Sequence, residues 1–263
     1  MNPLIHVQLN LELFRKLRLE LDRDLFIVGS VLPDIYFGGS ISENESHYQS
    51  KRFLSYLLKN DPNYASMGVG FMFHGEEPNG LDFYAHKKNG FIEKKLQHVK
   101  PLVLAEHPKI READLTKIGH SLIEFACDYL SDEDAASALN FAFKRTDLKR
   151  IAFHLTAFFG AHQHKTYKML KFFSKFNFQK LRTKKGVSSS VKRFLLWNDV
   201  GAVTMLQKYR HLKTQLYFMR KKGVEMVFNE VKNAVQPDLD KFLKSAKKEM
   251  AKNLPKHLPP ELV

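Results

Sequence analysis

Apolar residues recur at intervals of three and four through most of this 263-residue chain, which is the period of a helix with one buried face. Apolar–polar alternation is rare. The Asn79-Gly80 and Asn89-Gly90 pairs have no β-branched runs beside them, so they do not read as hairpins. An all-α fold follows. Helices are expected over 7–22, 47–59, 64–74, 81–97, 112–130, 132–142, 147–178, 188–197, 199–221, 224–235 and 237–252. Asp132, Asp199 and Asp238 stand where N-caps belong, and Pro237 suits the first turn of a helix. Gly29 to Asn44, rich in glycine, proline and serine, reads as a loop carrying Asp34. Gly186 to Ser190 reads as a linker and the tail from Pro255 as irregular. Residues 1–150 are expected to form a metal-binding helical core. Residues 151–263 form a basic helical extension packed on it.

The single cysteine, Cys127, excludes an intrachain disulfide and a cysteine-rich zinc module. The opening MNPLIHVQLNLELF lacks the basic start, apolar run and small-residue cleavage site of a secretory signal. No stretch reaches the roughly 20 apolar residues that span a bilayer, so a soluble, cytoplasmic protein is expected. The net charge of +14 is unevenly spread. Residues 1–150 carry 19 basic and 21 acidic side chains, a balance of −2; residues 151–263 carry 23 and 7, a balance of +16. Such a field draws polyanions: nucleic acid, anionic lipid or a phosphorylated substrate. It also reads as a solvated basic surface.

The stretch FMFHGEEPNGLDFYAH, from Phe71 to His86, sets His74, Asp82 and His86 around a Pro78-Asn79-Gly80 turn. A tight turn fixes side-chain directions, which metal ligands require. Other candidate ligands surround it in sequence: His6, Asp34 in LPDI, His47 in ESHYQS, and His120 with Glu124. Asp82 and His86 are four apart, as are His120 and Glu124, so each pair would share a helix face. Several carboxylates and imidazoles suit a dry core poorly, where each charge costs several kcal/mol unless paired. Divalent cations would neutralise them. His98, His107, His211 and His257 carry no such pattern.

This ordered set resembles the zinc-dependent phospholipase C family, whose superfamily includes zinc-dependent single-strand nucleases. The likeness covers about residues 1–130, through His6, GSVLPDI at 29–35, His47, GFMFHG at 70–75, GLDFYAH at 80–86 and HSLIE at 120–124. It implies a helical fold of the zinc-dependent phospholipase C type with zinc ions in a cleft. Asp34, His47, His74 and Asp82 would form one metal site; His86, His120 and Glu124 a second; Asp82 with His6 a third. In the secreted members the counterparts of His74 and Asp82 lie closer, on one continuous helix. Here GEEPNG intervenes, which offers Glu76 or Glu77 as a replacement ligand. Their third site uses a processed amino end, whereas this sequence opens at Met1, so two ions are the expected number.

The implied chemistry is hydrolysis of a phosphodiester, with two metals about 3.5–4 Å apart clamping an in-line displacement at phosphorus. Asp34 or Glu77 would accept the proton. The substrate would be a phosphoester such as a phospholipid. Two alternatives stand beside it: a single-strand nuclease, and a nonenzymatic metal-containing protein that binds phosphate or membrane. In the basic half, KTYKMLKFFSKFNFQKLRTKK at 165–185 mixes lysines and aromatics at helical spacing. That pattern suits an anionic membrane surface, unpaired bases, or aromatics in the core with solvated lysines. His154, His162 and His164 either line the cleft against phosphate or pack between helices.

Overall fold

The computed structural model describes residues 3–34, 41, 43–106, 108, 112–187 and 221–262. Among them every regular element is an α-helix or a 3₁₀ turn, as the apolar period requires. The α-helices are α1 (Pro3–Leu17), α2 (Arg23–Gly29), α3 (Glu43–Tyr48), α4 (Ser50–Asn60), α5 (Ala65–His74), α6 (Leu81–His86), α7 (Phe91–Glu106), α8 (Glu112–Leu130), α9 (Glu133–Arg145), α10 (Leu148–Phe159), α11 (Gln163–Lys175) and α12 (Lys221–Asn253). The expected helices 188–197 and 199–221 and the Asp199 cap fall outside the described residues, as does most of the expected linker.

Helix starts follow side-chain chemistry. Asp132 caps α9 by accepting from the Ala135 N–H at 2.9 Å. Asp147 caps α10 by accepting from Lys149 and Arg150 at 2.9 and 3.1 Å. Asp22 does the same for α2, a helix that the spacing did not announce, through Leu25 N–H at 2.8 Å. Such caps satisfy N–H groups that have no partner within the helix. The expected helix 147–178 is broken by Gly160, which ends α10 with φ 71, a left-handed conformation that glycine adopts without a Cβ penalty. The expected helix 81–97 is broken where Asn89 turns left-handed at φ 57. In the other direction, 224–235 and 237–252 run as one helix. Pro237 lies inside it, and Asp238, rather than capping, accepts an ion pair from Lys95 at 2.5 Å. The tail is not irregular: 3₁₀ turns cover Leu254–His257 and Pro260–Leu262.

The chain divides into two units, each assembled from separate runs. Unit 1 comprises Met1–Gly90, Ser131–Phe178 and Lys241–Val263, so residue 150 lies inside its second run; unit 2 comprises Phe91–Leu130 and Gln179–Asp240. In unit 2, α7 packs along α8, and Tyr129 meets Phe228 edge-on at 5.6 Å. Cys127 is buried there, and its thiol is raised well above its ordinary value by burial, which suits packing rather than reactivity.

Unit 1 is organised around α5, whose ten residues ASMGVGFMFH are all buried. Helix α5 packs against α2 and α4, while α9 covers α1 and α2. Two glycines let α2 and α5 touch backbone to backbone. A Cβ on Gly70 would stand 2.0 Å from the Phe26 carbonyl oxygen, and one on Gly29 would stand 2.1 Å from that of Met67. Phe53 of α4 packs with Phe71, Phe158 and Phe159, with ring centroids 4.6 to 5.7 Å apart.

His154 belongs to this packing. It is 1 % exposed and lies between Tyr56 and Tyr64. Burial lowers its pKa below the ordinary value, so the neutral ring donates from Nε2 to Asp61 Oδ2 at 3.0 Å. The same oxygen accepts from Arg150 Nε and Nη2, each at 2.8 Å. Asp61→Ala would strand these donors and is expected to cost about 2 kcal/mol, read as a lower urea midpoint. An unchanged midpoint would show that solvent replaces the carboxylate without loss.

Candidate metal centre

Four side chains from four short elements converge in unit 1. Asp34 ends a 3₁₀ turn (Leu32–Asp34) after α2, His47 lies in the last turn of α3, His74 closes α5, and Asp82 opens α6. One ligand atom from each of the four lies within 4.8 Å of the others, and all four residues are buried. This set could hold a metal ion. The turn between His74 and Asp82 brings the last two together as its composition suggests. Helix α5 stops at His74, Asn79 takes φ 80, and α6 restarts at Leu81. The Glu76 and Glu77 N–H groups donate to the His47 carbonyl at 3.0 and 3.3 Å. The turn therefore also anchors α3.

The geometry inside the pocket is acidic oxygen against ring nitrogen. Asp82 Oδ2 lies 3.0 Å from His47 Nε2 and 3.1 Å from His74 Nε2. Asp34 Oδ1 lies 3.7 and 3.5 Å from the same two nitrogens. The His74 ring direction is fixed from behind. Its Nδ1 lies 2.7 Å from the Ser30 carbonyl oxygen, which only accepts, so Nδ1 must carry a proton. In the neutral ring Nε2 is then a lone pair, facing carboxylates that also only accept. Accordingly, His74 Nε2 is buried without a hydrogen-bond partner. A lone pair aimed at two anionic oxygens calls for a cation or a proton between them, and a second hydrogen bond of this kind is the usual support of a metal-bound imidazole. The residues fit a divalent ion on that ground.

His6 joins the pocket differently. Its ring stacks on His74, with centroids 3.6 Å apart and planes 9° apart, and its Nε2 lies 3.1 Å from Asp82 Oδ1. Burial, then the neighbouring His74 charge, lowers its pKa below the ordinary value. The neutral ring donates from Nε2 to Asp82, leaving Nδ1 buried and bare. His6 thereby orients the Asp82 carboxylate. Asn10, one turn further along α1, is also buried with neither amide atom hydrogen-bonded.

In cation-free protein, protons would take the role of the cation. Burial alone would push the imidazoles down, but hydrogen bonds to Asp34 and Asp82 outweigh it at His47, lifting it to about 11, and the negative charge of Asp82 and Asp34 outweighs it at His74, lifting it to about 9. Burial alone would raise the carboxyls; the His74 charge beside them holds both well below the usual carboxylate range. Two anions and two imidazolium ions are neutral together, and a divalent ion replacing two protons keeps that balance. Zinc titrated into chelator-treated protein at pH 7 should therefore release about two protons per ion. Calorimetry in buffers of different ionisation enthalpy counts them, and a release near zero would contradict this charge state. In cation-free protein, folded pKa values above the ordinary 6.5 give stability that is full below pH 6.5 and is lost as pH rises through about 9 and about 11. With a cation bound the dependence reverses, because protons compete for the same nitrogens.

The remaining candidates stand as follows. His86 ends α6 in unit 1, with Nδ1 3.8 Å from Glu76 Oε1, and Tyr48 donates its hydroxyl to the other Glu76 oxygen at 2.7 Å. His120 and Glu124 lie one turn apart on α8 in unit 2, with Nε2 to Oε1 at 3.0 Å, as their spacing on one face demands. By chain membership His86 belongs to unit 1, and His120 and Glu124 to unit 2. The Glu77 side chain is exposed; what this residue brings to the centre is its main chain, which also accepts from the Ser50 hydroxyl. His162 and His164 are exposed at the start of α11. His98 is exposed, with Nδ1 bonded to the Lys94 carbonyl of its own helix at 3.1 Å. His98→Ala is expected to leave metal content unchanged and stability within about 0.5 kcal/mol, measured by metal analysis and thermal melting.

Sequence reasoning missed the groups behind the ligands: the Ser30 carbonyl, and the Ser46 hydroxyl 2.9 Å from His47 Nδ1. A serine beside a ligand histidine is a usable signal. A backbone carbonyl 44 positions away leaves none. Comparison with protein-family models, curated proteins and solved structures found no match for this chain.

Proposed function

We propose that the protein is a metal-dependent phosphodiester hydrolase whose first ion is zinc, held by Asp34, His47, His74 and Asp82. The observation that carries the reading is the His74 ring, locked by the Ser30 carbonyl so that its buried Nε2 faces two carboxylates. Imidazole nitrogen and carboxylate oxygen are the donors zinc takes at about 2.0–2.2 Å. Bound zinc would supply Lewis acidity, lowering the pKa of water towards about 7 and withdrawing charge from a phosphoryl oxygen. The chain's own residues hold and orient: His6 and the turn at Gly75–Gly80 fix Asp82, Ser30 fixes His74, and Ser46 fixes His47. Asp34, its negative charge held by two imidazoles, serves better as a ligand than as a base. A second ion on His86, His120 and Glu124, and a phospholipid as substrate, belong to the proposal on the strength of the sequence resemblance. A single-strand nuclease uses the same ligands.

One observation favours a second reading. The four side chains of the first set are only 0 to 8 % exposed, and a closed four-ligand site is the pattern of a structural zinc. The test purifies the protein without chelator, counts zinc, and assays a chromogenic phosphocholine ester beside single-stranded DNA. Two or more ions with zinc-dependent hydrolysis of the ester support the hydrolase. Hydrolysis of DNA alone makes it a nuclease. One ion with no hydrolysis of either makes the ion structural.

A further inference from the structure

Helices α10 and α11 leave between their first turns a cavity of about 490 Å³, lined by Lys149, Ala152, His162, Gln163, His164 and Tyr167. The volume is within the range of small-ligand pockets. No lining residue is acidic, and the sequence holds no aspartate or glutamate from Leu148 to Asn198. The nearest acid in sequence, Asp147, is occupied by the N–H groups of Lys149 and Arg150. The cavity therefore presents one ammonium, two imidazoles, a phenol and an amide, with no carboxylate of its own to neutralise them.

The rest of α11 extends this surface. Its inner face is used: Thr166, Leu170 and Phe173 are buried. On its outer face Lys165, Lys168, Lys171 and Lys175 are exposed, three or four residues apart and so on one side of the helix. Phe172 stands among them, 45 % exposed, its ring centroid 5.6 Å from that of Phe173 and 6.2 Å from that of Phe176. Thirteen residues make a row about 20 Å long. A line of ammonium groups around an outward apolar ring is the pattern of a helix lying on an anionic bilayer, the ring entering the acyl boundary and the lysines meeting headgroups. Stacking successive unpaired bases needs a row of open rings. Here Phe172 is the exposed one, Tyr167 and Phe176 being half-buried.

We propose that the outer face of α11 docks the protein on anionic phospholipid bilayers, with the cavity at its N-terminal end receiving a headgroup phosphate. The inference goes beyond the metal centre and does not rest on it, because docking requires no turnover.

The test sediments the full chain with vesicles of phosphatidylcholine alone and of phosphatidylcholine mixed with phosphatidylserine. Binding is expected only to the mixed vesicles and should weaken as salt rises. Each basic group near such a surface strengthens partitioning about five-fold, so Lys168→Glu with Lys171→Glu should lower it at least about 25-fold and Lys149→Ala about five-fold. Phe172→Ala should lower it without changing the salt dependence. Lys244→Glu with Lys248→Glu makes the same charge change on exposed positions of α12 and should stay within about two-fold of the unaltered chain. The proposal is overturned if the α12 pair lowers binding as much as the α11 pair, if neither vesicle binds, or if only single-stranded oligonucleotide is retained. Unchanged binding of Lys149→Ala would remove the cavity from it. All the substituted residues are exposed, and circular dichroism checks that each variant is folded.

Discussion

Asp82→Asn is expected to remove the first metal ion and to lower the melting temperature by about 10 °C. Asp82 is the hub of the pocket: its two oxygens meet His6, His47 and His74 at 3.0 to 3.1 Å. The amide keeps the shape but loses the charge. One of its terminal atoms becomes an N–H donor facing ring nitrogens that either need an acceptor or offer a lone pair to a cation. Removing one partner of a buried ion pair costs about 3–5 kcal/mol, which for a chain of this size corresponds to roughly 10 °C at about 2–4 °C per kcal/mol. Zinc analysis and melting should move together, because binding the ion is coupled to folding. A variant with its full zinc count would take Asp82 out of the site.

Gly70→Ala should be comparably severe, for a reason of packing. The new methyl would lie 2.0 Å from the Phe26 carbonyl oxygen, with Ser30 N and the Phe26 carbonyl carbon at 2.9 and 3.0 Å. These are backbone atoms, so no side-chain rotation relieves the clash and α2 must move away from α5. Overpacking of this kind costs about 3 kcal/mol. The movement also draws the Ser30 carbonyl from its 2.7 Å contact with His74 Nδ1, so zinc affinity should fall although no ligand has changed. Calorimetric titration of the folded variant measures it. Loss of stability with unaltered affinity would separate the helix contact from the His74 orientation.

The ligands were legible because their chemistry resides in side chains. His74 and Asp82 straddle a turn whose Pro-Asn-Gly composition announces a change of direction, and the 3₁₀ turn that carries Asp34 contains Pro33. His6 was legible as a member, but its stacking on a neighbour 68 positions away and its contact with Asp82 left no mark in the sequence. The glycines of GSVLPDI and GFMFHG read as loop and motif residues. Their packing function appears only when α2 and α5 meet. Helix existence was legible and helix length less so. Gly160 sits in an apolar stretch whose period continues past it, and Asn89-Gly90 lies between two amphipathic segments of matching period. Pro237 misled in the other direction, since a long helix supported on one face carries an internal proline that would end an isolated one.

The proposed function requires that Asp34, His47, His74 and Asp82 share one divalent ion. A zinc-loaded crystal with data on both sides of the zinc absorption edge tests it most directly. An anomalous peak is expected about 2.0–2.2 Å from His47 Nε2, His74 Nε2 and one oxygen each of Asp34 and Asp82. Density without an anomalous signal at that point, or zinc bound only by other residues, would contradict it.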